Sequence, residues 1–217
     1  MRLPHPRHHG FSLLELAVVV AATFLLLILA WAGLGTARQK ARSAQCLRNL
    51  QNHVVAARLF AQDNGGLFPG NSMRNQLRGY MGITDGRAAY DTLKTCPASQ
   101  AAHPTRHYMH ATYAMNQYLT STYDGEIVKW QKVRQWTRLP EPSKIYLFMD
   151  GPITDHDGAG FANYGPMARP GRPFIFPHSG GIQIAYADGH LEWLAETDFL
   201  APDRNEPTRE PWQPAAD

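Results

Sequence analysis

The chain has 217 residues, which is enough for one membrane-spanning helix and one globular domain of ordinary size. Its formal charge is +3, but Arg2 and Arg7 lie in the first ten positions, and the remaining 19 basic residues are balanced by 18 acidic ones. Such a balance lacks the basic stripe of a nucleic-acid-binding surface, so the composition indicates no nucleic-acid partner.

The first predicted element is an apolar helix that begins at Ser12 and runs to about residue 33. It is long enough to cross a bilayer, which requires about 20 apolar residues. Ser12 and Glu15 have the spacing of an N-cap and its capping-box partner. Glu15 is the one charged residue in this segment. Because a charge inside a bilayer costs about 3 kcal/mol on insertion scales, a carboxylate retained there is normally paired and functional.

A partner for Glu15 is produced if the chain is cut after Gly10. The cut frees the amine of Phe11, and Glu15 lies four residues further along the same helical face. Residues 1–10 contain two arginines, three histidines and two prolines, and we interpret them as a leader that is not part of the helix.

The helix is predicted to continue beyond the membrane segment, because small and apolar residues recur every three or four positions on one side. They are Ala37, Ala41, Ala44, Leu47, Leu50, Val54, Ala57 and Ala61, with Arg38, Lys40, Arg42, Arg48, Gln51 and Arg58 on the other side. One helix over residues 12–62 would be about 75 Å long at 1.5 Å per residue. Gly65 and Gly66 are predicted to end it, since glycine takes the left-handed cap conformation.

The two cysteines, Cys46 and Cys96, are an even count in a chain whose N-terminus indicates export. A bridge between them would close a loop of about 50 residues and contribute about 4 kcal/mol in the chain-entropy model. The alternative is two unrelated small apolar residues, with Cys46 packed under the domain. We favour the bridge, because an export compartment is oxidising.

Two β elements are predicted in the remainder of the chain. Residues 144–149 form a buried strand that ends at Asp150, and residues 181–194 form a hairpin around Asp188–Gly189, a pair suited to a type I′ turn. Pairing outward from that turn gives one apolar face. The pairs on it are Tyr186 with Leu191 and Ile184 with Trp193.

These elements predict an α+β fold in which a long N-terminal helix packs on a small antiparallel β-sheet. The predicted divisions are a leader (1–10), a transmembrane helix (11–35), its amphipathic continuation (36–62), a globular β-rich domain (63–200) and a flexible tail (201–217).

Residues 10–15, Gly-Phe-Ser-Leu-Leu-Glu, and the apolar run after them resemble the class III signal of type IV pilins and type II secretion pseudopilins. That resemblance implies cleavage after Gly10 by prepilin peptidase and methylation of Phe11. It also implies that Glu15 pairs with a free amine during filament assembly and sets the axial step between neighbouring subunits.

The soluble part adds to this resemblance through segments that occur in order. They are residues 46–50, 63–70, 94–97, 107–119 and 178–193. Together they resemble a group of bacterial pilin-like proteins, common in Planctomycetes and Verrucomicrobia, that carry a C-terminal His-x9-Asp-Gly signature. His178, Asp188 and Gly189 match that signature. The resemblance covers most of the chain from Gly10 to about Leu194, and it implies a pilin-like fold and an export route.

A metal or catalytic role for His178 and Asp188, with His190 nearby, requires that their side chains converge, as the three or four ligands of a zinc site do. We instead expect Asp188 to close its turn and His178 to hydrogen-bond neighbouring backbone, so no metal site is predicted. Nor do the clustered histidines at 103, 107 and 110 predict one, since residues on a strand or loop need not converge.

The segment from Asp155 to Gly158 resembles the start of an EF-hand loop, but the twelfth position is Pro166, where an EF-hand has a bidentate glutamate. No cofactor is therefore predicted. The family resemblance leaves a calcium site of another kind open in this loop, because some secretion pseudopilins bind calcium.

No nucleophile elbow, Walker-type loop or HExxH motif is present in the sequence, and we expect no enzymatic activity. The expected role is a filament subunit in the bacterial inner membrane, with one span and a periplasmic domain, or in a periplasmic or extracellular filament. Its expected partners are prepilin peptidase and other pilin-like subunits.

Two alternatives stay open. The chain is a secreted binding protein if a signal peptidase cuts after the Ala30-Trp31-Ala32 triplet. It is a membrane-anchored domain without a filament role if it is processed but not assembled.

Overall fold

The computed structural model describes residues 12–70, 73–83, 95–102, 113–119, 122–123, 126–127, 135–150, 167–168 and 176–203. Gly10, Phe11, the clustered histidines, the Asp155 loop and the tail from residue 204 lie outside this described part. The chain divides into two compact units, Met1–Ala41 and Arg42–Asp217.

Helix α1 spans Leu13–Asp63 and has 51 residues, which confirms the predicted helix to within one residue at each end. Two hydrogen bonds close its first turn. The N–H of Leu14 donates to the Ser12 hydroxyl at 3.2 Å, and the N–H of Ser12 donates to a Glu15 carboxylate oxygen at 2.9 Å. These bonds confirm the predicted cap. The first backbone N–H groups of a helix have no partner within the helix, and the cap supplies partners at this end.

From Leu13 to Leu34, α1 is apolar on every side and has Glu15 as its one charged residue. Its large hydrophobic side chains are each between 43% and 87% exposed; they are Leu13, Leu14, Leu16, Val18, Val19, Val20, Phe24, Leu25, Leu26, Leu27, Ile28, Leu29, Trp31 and Leu34. Apolar helices of this kind are normally buried in a protein core or in lipid, and no described residue covers this one. Within the described part of the chain, α1 is the helix long and apolar enough to span a membrane.

In the second unit, one face of α1 is buried from Cys46 onward. The predicted stripe is buried at Leu50, Val54, Ala57 and Ala61, while the predicted polar side, including Arg48 and Arg58, is exposed. Ala37, Ala41 and Ala44 continue the same spacing but are exposed. Periodicity alone therefore did not show where burial of the stripe begins.

The glycines after α1 end the helix as predicted. Gly65 and Gly66 have φ angles of 64° and 82°, in the left-handed region that favours glycine. The N–H of Gly66 donates to the carbonyl of Ala61 at 2.7 Å, which gives one of the last helical carbonyls a partner.

Seven strands, three short α-helices and three 3-10 helices are described beyond α1. The strands are β1 (Tyr113–Asn116), β2 (Thr122–Tyr123), β3 (Glu126–Ile127), β4 (Tyr146–Asp150), β5 (Met167–Ala168), β6 (Gly181–Tyr186) and β7 (Leu191–Ala195). The α-helices are α2 (Met73–Leu77), α3 (Pro97–Ala102) and α4 (Glu196–Phe199). Strand β4 confirms the buried strand predicted over residues 144–149.

Four strands form an antiparallel sheet in the order β1-β4-β6-β7, and β5 adds in parallel beside β1. Strands β2 and β3 form a separate two-stranded ribbon. The long N-terminal helix and this sheet confirm the α+β class.

Both faces of the central strands are buried. One face packs with the second half of α1 in a cluster that includes Leu50, Val54, Phe148 and Ala185. The other face forms a second cluster, made by Ala114, Tyr146, Met149, Ile182, Ile184, Tyr186, Leu194 and Phe199. All six residues of β6 are therefore buried, as expected for a strand with a layer on each side.

The β6–β7 hairpin exists, but its predicted register is wrong by one residue. Observed partners are Ala185 with Leu191 and Gln183 with Trp193. The turn has three residues because Gly189 alone takes a positive φ, of 100°, whereas a type I′ turn requires two such residues. The N–H groups of Gly189 and Tyr186 donate to the carbonyls of Tyr186 and His190, both at 2.9 Å. This pattern is a three-residue loop with a glycine bulge.

Candidate functional site

Of the residues predicted to act in processing and assembly, Glu15 is the one that the structure describes, because Gly10 and Phe11 lie outside the described part. Glu15 is exposed, and its carboxylate accepts the backbone N–H of Ser12. The start of α1 thus holds this carboxylate through a neutral donor of the same chain.

The predicted bridge between Cys46 and Cys96 is confirmed. Cys46 lies on α1 and Cys96 directly precedes α3, and their Cα atoms are 5.1 Å apart. Both cysteines are fully buried. The bridge fastens α1 to a segment 50 residues further along the chain.

A buried carboxylate and a buried imidazole meet beside this disulfide. Asp150 ends β4 and His178 lies in the turn before β6. Because β4 and β6 are antiparallel neighbours, both residues lie at the same end of the sheet. The Nε2 atom of His178 contacts the Oδ2 atom of Asp150, and the two side chains are 2% and 0% exposed. The other Asp150 oxygen accepts the backbone N–H of Gln183 at 2.8 Å. Asp150 is thus bonded through both oxygens.

The disulfide and the Asp150–His178 pair form one cluster. Sγ of Cys96 lies 3.4 Å from Nε2 of His178. One side-chain atom from each of Cys46, Cys96, Asp150 and His178 lies within 4.8 Å of the others. While the bridge is intact, its sulfur atoms carry no thiolate charge, so the cluster is not a metal site in its oxidised form.

Burial controls the electrostatics of the cluster. It raises the pKa of Asp150, whereas the hydrogen bond and charge of His178 and the Gln183 N–H oppose that rise. Burial also raises the pKa of the neighbouring Tyr113, and the charge of Asp150 raises it further. The Tyr113 hydroxyl stays protonated and donates to the carbonyl of Cys46 at 3.3 Å.

Backbone contacts fix the position of His178. Its N–H donates to the carbonyl of Gly181 at 3.2 Å, and its carbonyl accepts the indole N–H of Trp193 at 2.8 Å. Ser179 and Gly180 make the reversal, with φ angles of 56° and 77°. A Cβ on Gly181 would overlap the Trp193 ring and the backbone of Leu194, so only glycine fits there.

The sequence prediction for His178 is therefore half correct. Its backbone bonds neighbouring residues, as expected, but its side chain pairs with Asp150, which is distant in sequence. His178 and Asp188 do not form one site, because they flank β6, whose six residues span about 20 Å. Their spacing in the signature corresponds to the length of the strand between them.

Asp188 closes its turn, as predicted. Its carboxylate accepts the backbone N–H of His190 at 3.0 Å and lies 2.6 Å from Nδ1 of the same residue. Arg58 of α1 donates to the carbonyl of Asp188, and its guanidinium lies 5.5 Å from the ring centre of Trp136. The indole N–H of Trp136 donates to the carbonyl of Ala187 at 3.1 Å. The signature Asp-Gly therefore anchors the hairpin turn to α1.

Sequence reasoning missed Asp150 as a site residue. Its one signal was its place at the end of an otherwise apolar strand, where an acidic residue must find a partner if it is buried. The Asp155 loop, in which a calcium site was left open, lies outside the described residues.

Comparison with known proteins adds no assignment. Neither a protein-family model nor any curated protein or solved structure matches this chain.

Proposed function

We propose that this chain is a pilin-like structural subunit, a pseudopilin of a type II secretion system or of a type IV pilus-like filament. Prepilin peptidase removes residues 1–10 and methylates Phe11. The subunit is then held in the bacterial inner membrane by α1, with its globular domain on the periplasmic side, until it joins a filament of pilin-like subunits.

Helix α1 supports this proposal most directly. It begins with the Ser12–Glu15 cap, exposes apolar side chains all round, and continues without a break into the face that is buried from Cys46 onward. A disposable signal peptide does not require a helix shared with the folded domain. Cleavage before Gly33 would instead divide α1 in its apolar part. The continuity of α1 therefore favours an anchor that the mature protein keeps.

Glu15 supports the assembly step. In the single chain its carboxylate is bonded to the neutral N–H of Ser12, which leaves its negative charge without a counter-ion in the contacts described. A charge in lipid costs about 3 kcal/mol, so pairing with the free amine of a cleaved Phe11 during assembly would lower that cost. Charge-assisted hydrogen bonds are about twice as strong as neutral ones. Since the amine fits at one axial position, this pairing would also set the step between subunits.

The Glu15→Val variant tests the assembly role. The chain is expected to insert and be cleaved normally but to give at least about tenfold less filament, since a hydrogen bond to a charged group is worth about 1.5–3 kcal/mol and 1.4 kcal/mol is a factor of ten. Filament yield is measured by electron microscopy and immunoblotting of sheared surface material. Glu15→Gln keeps the size of the side chain but removes its charge, so it tests whether the charge itself is needed. Glu141→Gln, at an exposed glutamate of the domain, is the control. Wild-type yield from Glu15→Val would refute the role.

Mass spectrometry of the mature N-terminus separates pilin-type processing, signal-peptide cleavage and an uncut chain. Methylated Phe11 supports the filament proposal or the processed anchor. A mature chain that starts at Gly33 indicates a secreted protein, and an uncut Met1 indicates a plain membrane anchor.

A further inference from the structure

We propose that Cys46, Cys96, Asp150 and His178 form a four-coordinate zinc site when the disulfide between the two cysteines is reduced. The bridge and the metal would then be alternative cross-links at the same place in the fold. Zinc binding depends on these four residues alone and holds whether or not the chain enters a filament.

The convergence of four ligand types supports this site. The residues come from α1, the segment before α3, the end of β4 and the turn before β6, and their ligand atoms lie within 4.8 Å of one another. A tetrahedral zinc ion with ligand distances of about 2.0–2.3 Å needs ligand atoms about 3.3–3.8 Å apart. Once the sulfur–sulfur bond is broken, shifts of the order of an ångström bring the four atoms to that spacing.

The surroundings suit a structural metal. All four residues are buried, with relative exposures of 0% for Cys46, Cys96 and Asp150 and 4% for His178, which excludes a water ligand from the surface. Four protein ligands without an open position are typical of structural zinc sites. The N–H of Gln183 holds one Asp150 oxygen at 2.8 Å, so the carboxylate is oriented from outside the ligand set.

Charge explains why a metal would occupy the reduced site. Two buried thiolates beside a carboxylate would repel one another strongly in a low-dielectric environment. Zn²⁺ offsets two of these three negative charges, and His178 binds as a neutral ligand. In the oxidised protein the thiolates do not exist, and His178 and the N–H of Gln183 supply the partners of Asp150.

The reaction balances with a dithiol as reductant. The dithiol gives two electrons and two protons to the Cys46–Cys96 bridge and becomes a disulfide itself. Zn²⁺ then displaces the two thiol protons to solvent, and the imidazole proton of His178 resides on Nδ1, which leaves Nε2 free to bind. In the reverse direction a disulfide takes two electrons from the two thiolates and becomes a dithiol, which re-forms the Cys46–Cys96 bridge and releases the metal.

The test uses the full chain in detergent, reduced with a phosphine so that no added thiol competes for metal. After treatment with Zn²⁺ and dialysis, the reduced chain is expected to hold one zinc per chain and the oxidised chain none. Co²⁺ in place of zinc should give the visible spectrum of a tetrahedral site with thiolate ligands. Circular dichroism is recorded on every sample to follow folding.

Variants show whether all four residues bind the metal. Asp150→Asn and His178→Gln are each expected to weaken zinc binding by more than about 100-fold, because even loss of an outer partner costs 10–100-fold. The Cys46→Ser/Cys96→Ser variant is expected to bind none. His190→Gln changes an exposed histidine outside the cluster and should leave binding unchanged.

Three results would overturn the proposal. The first is a reduced chain, folded or unfolded, that holds no stoichiometric zinc. The second is equal zinc binding by the oxidised chain. The third is undiminished affinity in Asp150→Asn or His178→Gln, which would indicate binding by the thiols alone.

Discussion

The contact of Asp150 with His178 joins the end of β4 to the turn before β6. Asp150 is fully buried, and its two oxygens are used by His178 and by the N–H of Gln183. Removing one partner of a buried pair leaves the other without compensation, which costs more than the pair itself contributes.

Asp150→Asn is therefore expected to lower the free energy of unfolding by about 1–3 kcal/mol, the usual cost of a buried polar group that loses its partner, although the amide oxygen still accepts the Gln183 N–H. His178→Gln should cost a similar amount. Because each change removes the same contact, the double variant should be destabilised by less than the sum. Urea unfolding of the full chain in detergent measures all three.

The exposed pair of Glu141 and Lys144, 2.7 Å apart, is the matched control. Glu141→Gln should change stability by less than about 1 kcal/mol, since surface ion pairs contribute little. Strict additivity of Asp150→Asn and His178→Gln would contradict a direct role for their contact.

For single residues, the sequence predicts local roles such as a helix cap or a turn, but not which residues distant in sequence are in contact. Pairing of Cys46 with Cys96 followed from their number and the expected compartment. The Asp150–His178 contact did not, because it requires β4 and β6 to be neighbours, and no local pattern specifies that arrangement.

Among the elements, the turn between β6 and β7 changes the ionisation of Asp188. Burial would raise the pKa of Asp188, but hydrogen bonds from the His190 backbone and side chain, together with the charges of His190 and Arg58, lower it overall. The folded state thus favours the ionised carboxylate. Asp188 contributes stability above its unfolded pKa of about 3.9, and this contribution is lost as the pH falls through the lower folded pKa.

Asp188→Asn removes this dependence. The stability difference between wild type and variant should be constant above about pH 5 and should shrink as the pH falls below about 4. Urea midpoints measured from pH 2 to pH 6 test this. Asp203→Asn, at an exposed aspartate outside the turn, should follow the wild-type profile. A wild-type-to-Asp188→Asn difference that grows with acidity would contradict the assigned direction.

Sequence patterns located α1 and β6 well but misjudged the hairpin register. Helix α1 has a continuous period and a double-glycine stop, which define its length. Strand β6 is buried on both faces, so alternation of polar and apolar residues could not distinguish the observed register from one shifted by a residue. The register is set by the three-residue turn with its bulge at Gly189.

For the whole molecule, the disulfide is the main covalent constraint. Replacing both residues, Cys46→Ala with Cys96→Ala, is expected to lower the free energy of unfolding by about 4 kcal/mol for a 50-residue loop. Urea unfolding of the oxidised protein measures this loss. Wild-type protein that is reduced in denaturant and refolded without metal should lose a similar amount, whereas the same treatment should leave the variant unchanged. Equal stability of wild type and variant under oxidising conditions would contradict the constraint.

The α+β class was predictable from the order of elements, because a long helical period is followed by short strands. How the two sides of the sheet are covered was not predictable. The second layer is built by residues such as Tyr146, Ile184 and Phe199. Their contacts depend on the order of the strands in the sheet, which the periodicity of hydrophobic residues does not specify.

The position of Cys46 within α1 has a mechanical consequence. A pulling force on the N-terminal end of α1 reaches Cys46 along the helix and then enters the domain through a covalent bond. Helical hydrogen bonds are far weaker than that covalent bond. The helical turns of α1 before Cys46 should therefore unfold before the disulfide-bonded domain does. Under tension, the chain between Cys46 and Cys96 should keep its ends together while the apolar part of the helix lengthens.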